Sequence, residues 1–458
     1  MFVGGKGPRV VKKAEVEQCY CPTTDAEDWA GHYGCRVEEP QIKRDFENFP
    51  RISKDAVAST LAQLQKNEHN CFVHYITSNN RLYGKAYGMW QGFKQYTDEM
   101  LLSLMRRVVV PDTEFIFNLG DWPLGNGTQR GLPIISFCGS ASSTDIVVPT
   151  YKLFLATVFG KDLENVRDVD ARAFSVGGGW ARKWDKMVWR GRDSNPLRVK
   201  FVDEIAARYP HLIDANISKN QMNYYPSEQD RLNDKLLQAG KKVERISFFN
   251  FWKYKYLLSI DGTVAAYRIP ALLAGDSALF LPASPWYEHF YSQLEPWVHF
   301  VPVKEDLGDV VQQLLWARKH DAAVMNISRN ARLFARDHLV AEQVYCYYFK
   351  VLHAYNESMD YVVRVPGNYQ ESRQPEPPTH LKCKCSRKKK RLVKDSSPQP
   401  HSPQSADPAP SSSSNSHPLP PPPLDPSSLD STPSADAEKI NEEWVGPVFR
   451  SAGAVAEL

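Results

Sequence analysis

One stretch limits the fold more than any other: Lys253-Tyr-Lys-Tyr-Leu-Leu-Ser-Ile-Asp-Gly-Thr-Val-Ala-Ala-Tyr-Arg268 and the residues just after it. Tyr256 to Ile260 is an apolar run of strand length. Asp261-Gly262-Thr263 is turn chemistry and supplies a helix cap, and Val264 to Ala274 is apolar at helical spacing up to Gly275. Asp276-Ser277 turns the chain into Ala278 to Leu281, a second strand. Strand, helix, strand is the unit of a parallel sheet, so the chain reads as α/β. The small residues Gly262, Thr263, Ala265 and Ala266 stand at the expected helix start, where backbone N–H groups lack partners. Arg268 follows within about one helical turn, and such a set suits a phosphate or pyrophosphate. The plain alternative is an ordinary crossover helix with a surface arginine. Pro270 lacks an N–H and either kinks this helix or marks where its regular part begins.

The 458 residues are enough for a sizeable core and more than one domain. A net charge of +3 argues against a whole-molecule polyanion binder, so no nucleic-acid partner is expected. No apolar run is long enough to span a membrane, and the amino terminus has no signal-peptide core. Of the eight cysteines, Cys19, Cys21 and Cys35 lie close together among turn formers, which suggests local disulfides. A zinc site fits that spacing poorly. Sequons occur at Asn126, Asn216, Asn326 and Asn356 and, with the cysteines, lean toward a secretory compartment.

In chain order, residues 1–45 read as a linker remnant and a cysteine-containing lead-in. A helix capped near Ser53 carries Val57, Leu61 and Leu64 on one side. Cys71 to Ile76 and Leu82 to Tyr87 form an expected hairpin, and Asp98 to Arg107 a helix with Met100, Leu101, Leu104 and Met105 inward. Glu114 to Asn118 reads as a strand ending in Leu119-Gly-Asp-Trp-Pro123. An acid just past the C-terminal end of a strand is where open α/β sheets place ligands, and the alternative for Asp121 is a turn cap. Gly177-Gly178-Gly179 is a loop over a cleft or a linker between domains. Met187-Val188-Trp189 is a short strand that Arg190-Gly191-Arg192 breaks, and Pro196 starts a helix to about Arg208. Arg198 in its first turn opposes the helix dipole unless an anion sits beside it. Trp286 to Tyr291 reads as an aromatic helix turn, Trp297 to Val303 as a strand, and three helices follow between Leu307 and Tyr355. From about Arg373 the chain is basic, then Pro/Ser-rich, and cannot bury enough surface to fold alone.

Phe-Asn-Leu-Gly-Asp-Trp-Pro123, Trp189-Arg-Gly-Arg-Asp-Ser194, Ile260-Asp-Gly-Thr-Val-Ala-Ala-Tyr-Arg268 and Tyr287-Glu-His-Phe-Tyr291, in that order, closely resemble the animal protein O-glucosyltransferases. The resemblance is to the branch that ends in an endoplasmic-reticulum retrieval signal of the KDEL type. That branch is related to the Rumi and capsule-associated proteins of glycosyltransferase family ninety, and the likeness runs from about Cys19 to about Tyr361. It implies a GT-B architecture, two Rossmann-like domains facing a cleft, over residues 46–372 with a boundary near 175–188, followed by a disordered tail over 373–458. It implies inverting, metal-independent transfer of glucose, or xylose, from the UDP-sugar to a serine of an EGF-like repeat in Notch-type and other extracellular proteins. No cofactor beyond that donor is implied. Asp121 matches the catalytic base. Thr263, Val264, Ala265, Ala266, Tyr267 and Arg268 match the UDP-sugar-binding stretch, Arg198 matches an arginine on the diphosphate, and Arg192 stands at a nucleotide-contacting position. Tyr87 and Phe93 lie in the region that receives the acceptor. Asp168-Val169-Asp170 resembles the metal-binding Asp-x-Asp of other glycosyltransferases and is read as a chance match in a charged helix or loop.

The chain departs from that branch in lacking the filamin-like domain, the signal peptide and the retrieval signal. The resemblance therefore implies the endoplasmic-reticulum lumen while the termini do not. Two other functions stay open: a catalytically silent module that binds EGF-like repeats, and a truncated, non-secreted interaction protein.

Overall fold

The computed structural model describes residues 22–125, 132–160, 166–219 and 246–373. Cys19, Cys21, Cys383, Cys385, the Asn126 sequon, the basic run and the Pro/Ser-rich tail lie outside the described residues.

Two sheets organise the molecule. The first is mixed and six-stranded. Its centre is a hairpin of β1 (Phe72–Ser78) and β2 (Arg81–Tyr87), which turns at Asn79 and Asn80, with φ of 50° and 55°. Asparagine tolerates that left-handed conformation, which matches the twist of the flanking strands. β3 (Thr113–Asn118) pairs antiparallel with β1, and β4 (Ile134–Ser136) and β6 (Ile146–Val147) extend the sheet in parallel. Between them lies β5 (Gly139–Ser140). Helices α1 (Ala26–His32), α2 (Pro40–Phe46), α3 (Lys54–Leu64), α4 (Lys94–Met105) and α5 (Tyr151–Thr157) belong to this half. Ser53 caps α3 by accepting the Ala56 N–H at 3.1 Å, and Met100, Leu101, Leu104 and Met105 of α4 are buried, as their spacing predicts.

After α6 (Val166–Gly177) the chain enters the second sheet, five-stranded and wholly parallel. Its strands are β7 (Trp184–Arg192), β8 (Ile213–Lys219), β9 (Tyr254–Leu258), β10 (Ala278–Pro282) and β12 (Val301–Val303). β9 and β10 are buried almost throughout, the signature of strands covered on both faces. α7 (Pro196–Lys200) follows β7, widens over Phe201–Ile205 and tightens over Ala206–Arg208.

The strand–helix–strand unit read from the sequence is present, with Leu257 beside Leu279 in parallel register. Its helix, α8 (Ile269–Ala274), starts later than expected. Asp261 Oδ1 accepts the Ala266 N–H at 3.1 Å and Gly262 N–H donates to the Val264 carbonyl at 2.9 Å, so residues 261–266 close on themselves as turns. Pro270 then marks the start of the regular helix. The expected helix start at Gly262-Thr263 is therefore a loop. β7 runs unbroken to Arg192, with a shift in its pairing to β8 between Gly191 and Arg192 and in its pairing to β9 between Trp184 and Met187. The aromatic turn at Tyr287 is also corrected. Trp286 and Tyr287 form β11, antiparallel to β5, and so tie the second half to the first. Gly139 is needed there, because a Cβ would lie 2.5 Å from the Tyr287 ring. The strand expected over Trp297 to Val303 is confined to Val301–Val303.

Three helices close the described chain: α9 (Val310–Lys319), α10 (Asp321–His338) and α11 (Ala341–Ser358). α10 packs on α8 and β10. α11 returns to the first sheet, where Tyr347, Tyr348 and Tyr355 donate to the carbonyls of Val147, Pro149 and Pro133 at 3.1, 2.8 and 3.1 Å. β13 (Gln370–Ser372) then covers the outer edge of β2. Cys35 is not in a local disulfide. It bonds to Cys346 of α11, 311 positions away, because α11 packs beside the lead-in rather than the second sheet. Cys71 and Cys138 are free and buried. Asp168 and Asp170 lie in α6, where Asp170 pairs with Arg332 and Arg336 of α10.

Candidate active site

The loop after β3 is built from side chains reaching backbone. Asn118 Oδ1 accepts the Gly120 N–H at 2.8 Å, and Asn118 Nδ2 donates to the Trp122 carbonyl at 2.6 Å and to Ser136 Oγ at 3.1 Å. Ser136 Oγ donates to Asp145, which also accepts the Leu124 and Gly125 N–H groups at 2.9 and 2.8 Å. Asp121 sits between these anchor points. Its side chain is accessible to solvent, yet enough protein surrounds it that desolvation raises its carboxyl above the usual carboxylate range. Both hold for a group in a concave wall. Trp122 is 51 % exposed and meets Trp286 of β11 edge to face, with centroids 5.1 Å apart.

Across from Asp121, β7 and β9 of the parallel sheet deliver three arginines at or just beyond their C-terminal ends. Arg198 is buried, and four of its N–H groups have partners. Nε and Nη2 donate to the Ile260 carbonyl at 3.2 and 2.8 Å, and Nη1 donates to the Arg192 carbonyl at 3.1 Å and to Ser194 Oγ at 2.8 Å. Burial first, and then Arg268, push its pKa down to about 9, so it stays charged at neutral pH. Arg268 donates to the Arg190 carbonyl at 2.6 Å. Arg192 is exposed. Cations that raise one another's energy in a partly desolvated site favour an anion between them.

Tyr151, at the start of α5, joins the two sides. Its phenol is raised by burial first, then by the Asp121 carboxylate, while Arg192 acts in the opposite direction. Phe93 packs on the Tyr151 ring at 4.8 Å and Tyr267 meets it edge on at 6.0 Å. Tyr267 is itself raised by burial and then by Asp121, and its buried hydroxyl has no partner among the described residues. Thus Asp121, Arg192, Arg198, Tyr267, Arg268 and Phe93 come together. Tyr87 stands apart, at the end of β2 and stacked on Phe72, though Phe72 pairs with both Tyr87 and Asn118 across the sheet. Thr263 is half-buried, and Val264 and Ala265 turn inward against Cys138, so their side chains do not line an open site. The Ala265 N–H is engaged by Cys138 and that of Ala266 by Asp261. Glu288, in the Tyr287–Tyr291 motif, is fully buried. Burial first, and then Asp261, push its carboxyl well above the usual carboxylate range.

Tyr151, Asn118, Ser136, Asp145 and Trp286 were not singled out from the sequence. Asn118 and Trp286 carry a legible signal, an Asn at a strand end before Gly and a Trp before the aromatic motif; the other three carry none. A cavity of about 710 Å³ lies elsewhere, lined by Trp184, His211, Asp214 and Tyr254 among others, and holds none of the candidate residues. Among the described residues no cluster of His, Cys, Asp or Glu has the makings of a metal site, and no helix is long and apolar enough to cross a membrane.

Asp121 follows a strand of the mixed sheet, and Arg192, Arg198 and Arg268 lie at or after strand ends of the parallel sheet. The family model described as glycosyl transferase family 90 matches residues 33–428, and the chain belongs to that family. It is 39% identical over 381 residues to the human protein O-glucosyltransferase 3, covering 81% of this chain and 72% of that one. It is 38% identical over 394 residues to the zebrafish (Danio rerio) protein O-glucosyltransferase 2, covering 84% and 75%. The O-glucosyltransferase rumi of Drosophila pseudoobscura pseudoobscura is 28% identical over 372 residues, covering 78% and 84%. The protein is a glycosyltransferase by family.

Proposed function

We propose that this chain is an inverting, metal-independent protein O-glucosyltransferase that moves glucose, or xylose, from a UDP-sugar to serine hydroxyls of EGF-like repeats. The observation that carries the reading is Tyr151, whose phenol feels both the Asp121 carboxylate and the Arg192 guanidinium. Asp121 and Arg192 thus both lie near that phenol, which supports reading them as the base and a cation of one site. Asp121 takes the serine proton as the hydroxyl attacks C1 of the sugar, and a carboxyl of raised pKa is a better base for that step. Negative charge builds on the departing UDP, and Arg192, Arg198 and Arg268 stabilise it as fixed charges. The acceptor enters over Phe93, Tyr87 and the exposed Trp122.

The mixed sheet and the parallel sheet are read as the two halves of a GT-B enzyme, divided near residues 175–188, with residues 1–45 as lead-in and 373–458 as tail. The relatives' names support the glucosyl transfer. An oxidising compartment such as the endoplasmic-reticulum lumen suits the Cys35–Cys346 bond. The test is transfer from UDP-glucose and from UDP-xylose to a purified, folded EGF-like repeat, read by intact mass. A hexose or pentose increment on serine is expected. UDP binding without any increment would instead mark a silent module that binds the repeat.

A further inference from the structure

The segment that carries Asp121 is anchored on both sides by one buried chain of hydrogen bonds, and that chain has a terminus. Asn118 fixes the near side through Gly120 N–H and the Trp122 carbonyl. Asp145 fixes the far side through the Leu124 and Gly125 N–H groups. Ser136 Oγ links the two, accepting from Asn118 and donating to Asp145. The Thr144 N–H, next to Asp145, donates back to the Gly125 carbonyl at 2.9 Å. Asp145 is 1 % exposed, and a Cβ on Gly125 would lie 2.8 Å from its Oδ2, so the loop backbone lies directly against the carboxylate. Among the described residues Asp121 has no comparable bond of its own to hold it in place.

We propose that Asp145 is the positioning residue of the site: its carboxylate, relayed through Ser136 to Asn118, holds the Asp121 loop where the carboxyl reaches the acceptor hydroxyl. The inference rests on the reading of Asp121 as the base. A carboxylate is required at this position because three donors converge on it, two of them backbone N–H groups of the loop. Asparagine has the same shape but replaces one acceptor oxygen by an NH₂ that opposes a donor. A buried donor left unpaired costs free energy, which the loop relieves by moving away. Misplacement of a reacting group by about 1 Å costs roughly 10²-fold in rate.

The experiment compares wild type with Asp145→Asn and the milder Ser136→Ala. Three quantities are measured: amide hydrogen exchange over residues 119–125, kcat and KM for transfer to a folded EGF-like repeat, and UDP affinity by calorimetry. In Asp145→Asn exchange should quicken at Gly120, Leu124 and Gly125, kcat should fall roughly 10–10²-fold, and UDP affinity should stay within about twofold. Ser136→Ala should show a smaller change of the same kind, which keeps the test alive if Asp145→Asn does not fold. Unchanged exchange in the segment would overturn the clamp. A loosened loop with normal kcat, or a parallel loss of UDP affinity, would overturn its positioning role. If wild type itself transfers nothing, the glycosyl-transfer reading fails, while the exchange data still decide the clamp.

Discussion

The two sheets hold their reactive groups by opposite means. On the mixed sheet Asp121 is left accessible and the backbone on either side of it is fastened, by Asn118 before and Asp145 after. On the parallel sheet the ladder fixes the backbone, and the side chains themselves are tied. Arg198 donates four times, to the carbonyls of Ile260 and Arg192 and to Ser194, and Arg268 donates to the Arg190 carbonyl. The proposed roles explain the contrast. A base must keep its lone pairs free to take a proton, whereas a cation that only presents charge can be buried once carbonyls satisfy it. Activity and stability should therefore separate at Asp121 and merge at Arg198.

The sharpest test of that separation is Asp121→Asn. Transfer should fall roughly 10²–10⁴-fold, the usual share of general-base catalysis. UDP affinity and the thermal midpoint should hardly change, since the carboxyl is accessible and makes no structural bond among the described residues. Near-normal transfer would return Asp121 to a turn-capping role. Next in size is Arg198→Ala, which should lower UDP affinity and stability together. The Ile260 carbonyl is left buried without its donor, at about 1–3 kcal/mol. A variant that loses only UDP affinity, with an unchanged urea midpoint, would break the comparison. Arg268→Ala comes third. UDP binding should weaken by about 1.5–3 kcal/mol for each charge-assisted bond lost, and Arg268→Lys should recover only part. Calorimetry on the two variants reads both effects.

The smallest expected effect concerns Asp45 of α2. Its carboxyl accepts the Val147 N–H at 2.8 Å and the Gln41 amide at 2.7 Å, and burial pushes its pKa from 3.8 up to about 7. Because the folded value lies above the unfolded one, the folded state binds this proton more tightly. Its contribution to stability is complete below about pH 4 and is lost as pH rises through about 7. Asp45→Asn should flatten the fall of the urea midpoint across that window. Asp145, raised to about 6 by burial, should keep a weaker slope of the same sign.

Much of this was legible because it is local. The hairpin at Asn79-Asn80, the Ser53 cap and the buried stripe of α4 follow from turn chemistry and period, and all are present. The unit over Tyr254 to Pro282 was legible for the same reason, and Pro270 even named the start of its helix. What failed depended on distant partners. Tyr287 looked helical because aromatic spacing cannot reveal that Gly139 waits as a strand partner. Cys35 looked local because Cys346 comes beside it only when α11 folds back. Asp145 gave no signal at all, since a buried carboxylate serving backbone N–H groups has no motif of its own. Asp121 and Arg198 stood out because each is a charged residue placed where a strand ends or a helix begins.

The Cys35–Cys346 bond also sets a clock. Cys346 is made 311 positions after Cys35, which at about 5–20 residues per second is roughly 15–60 s of synthesis. For that time the Cys35 thiol waits unpartnered while Cys71 and Cys138 pass by as rival thiols. Both rivals end in the first half, Cys71 at the start of β1 and Cys138 beside β5, and both are buried there. Early closure of that half would hide them before the right partner arrives. A slow first sheet would leave the thiols of Cys35, Cys71 and Cys138 exposed together, with Cys19 and Cys21 also already made, and a covalent error made then would outlast the fold that could have prevented it.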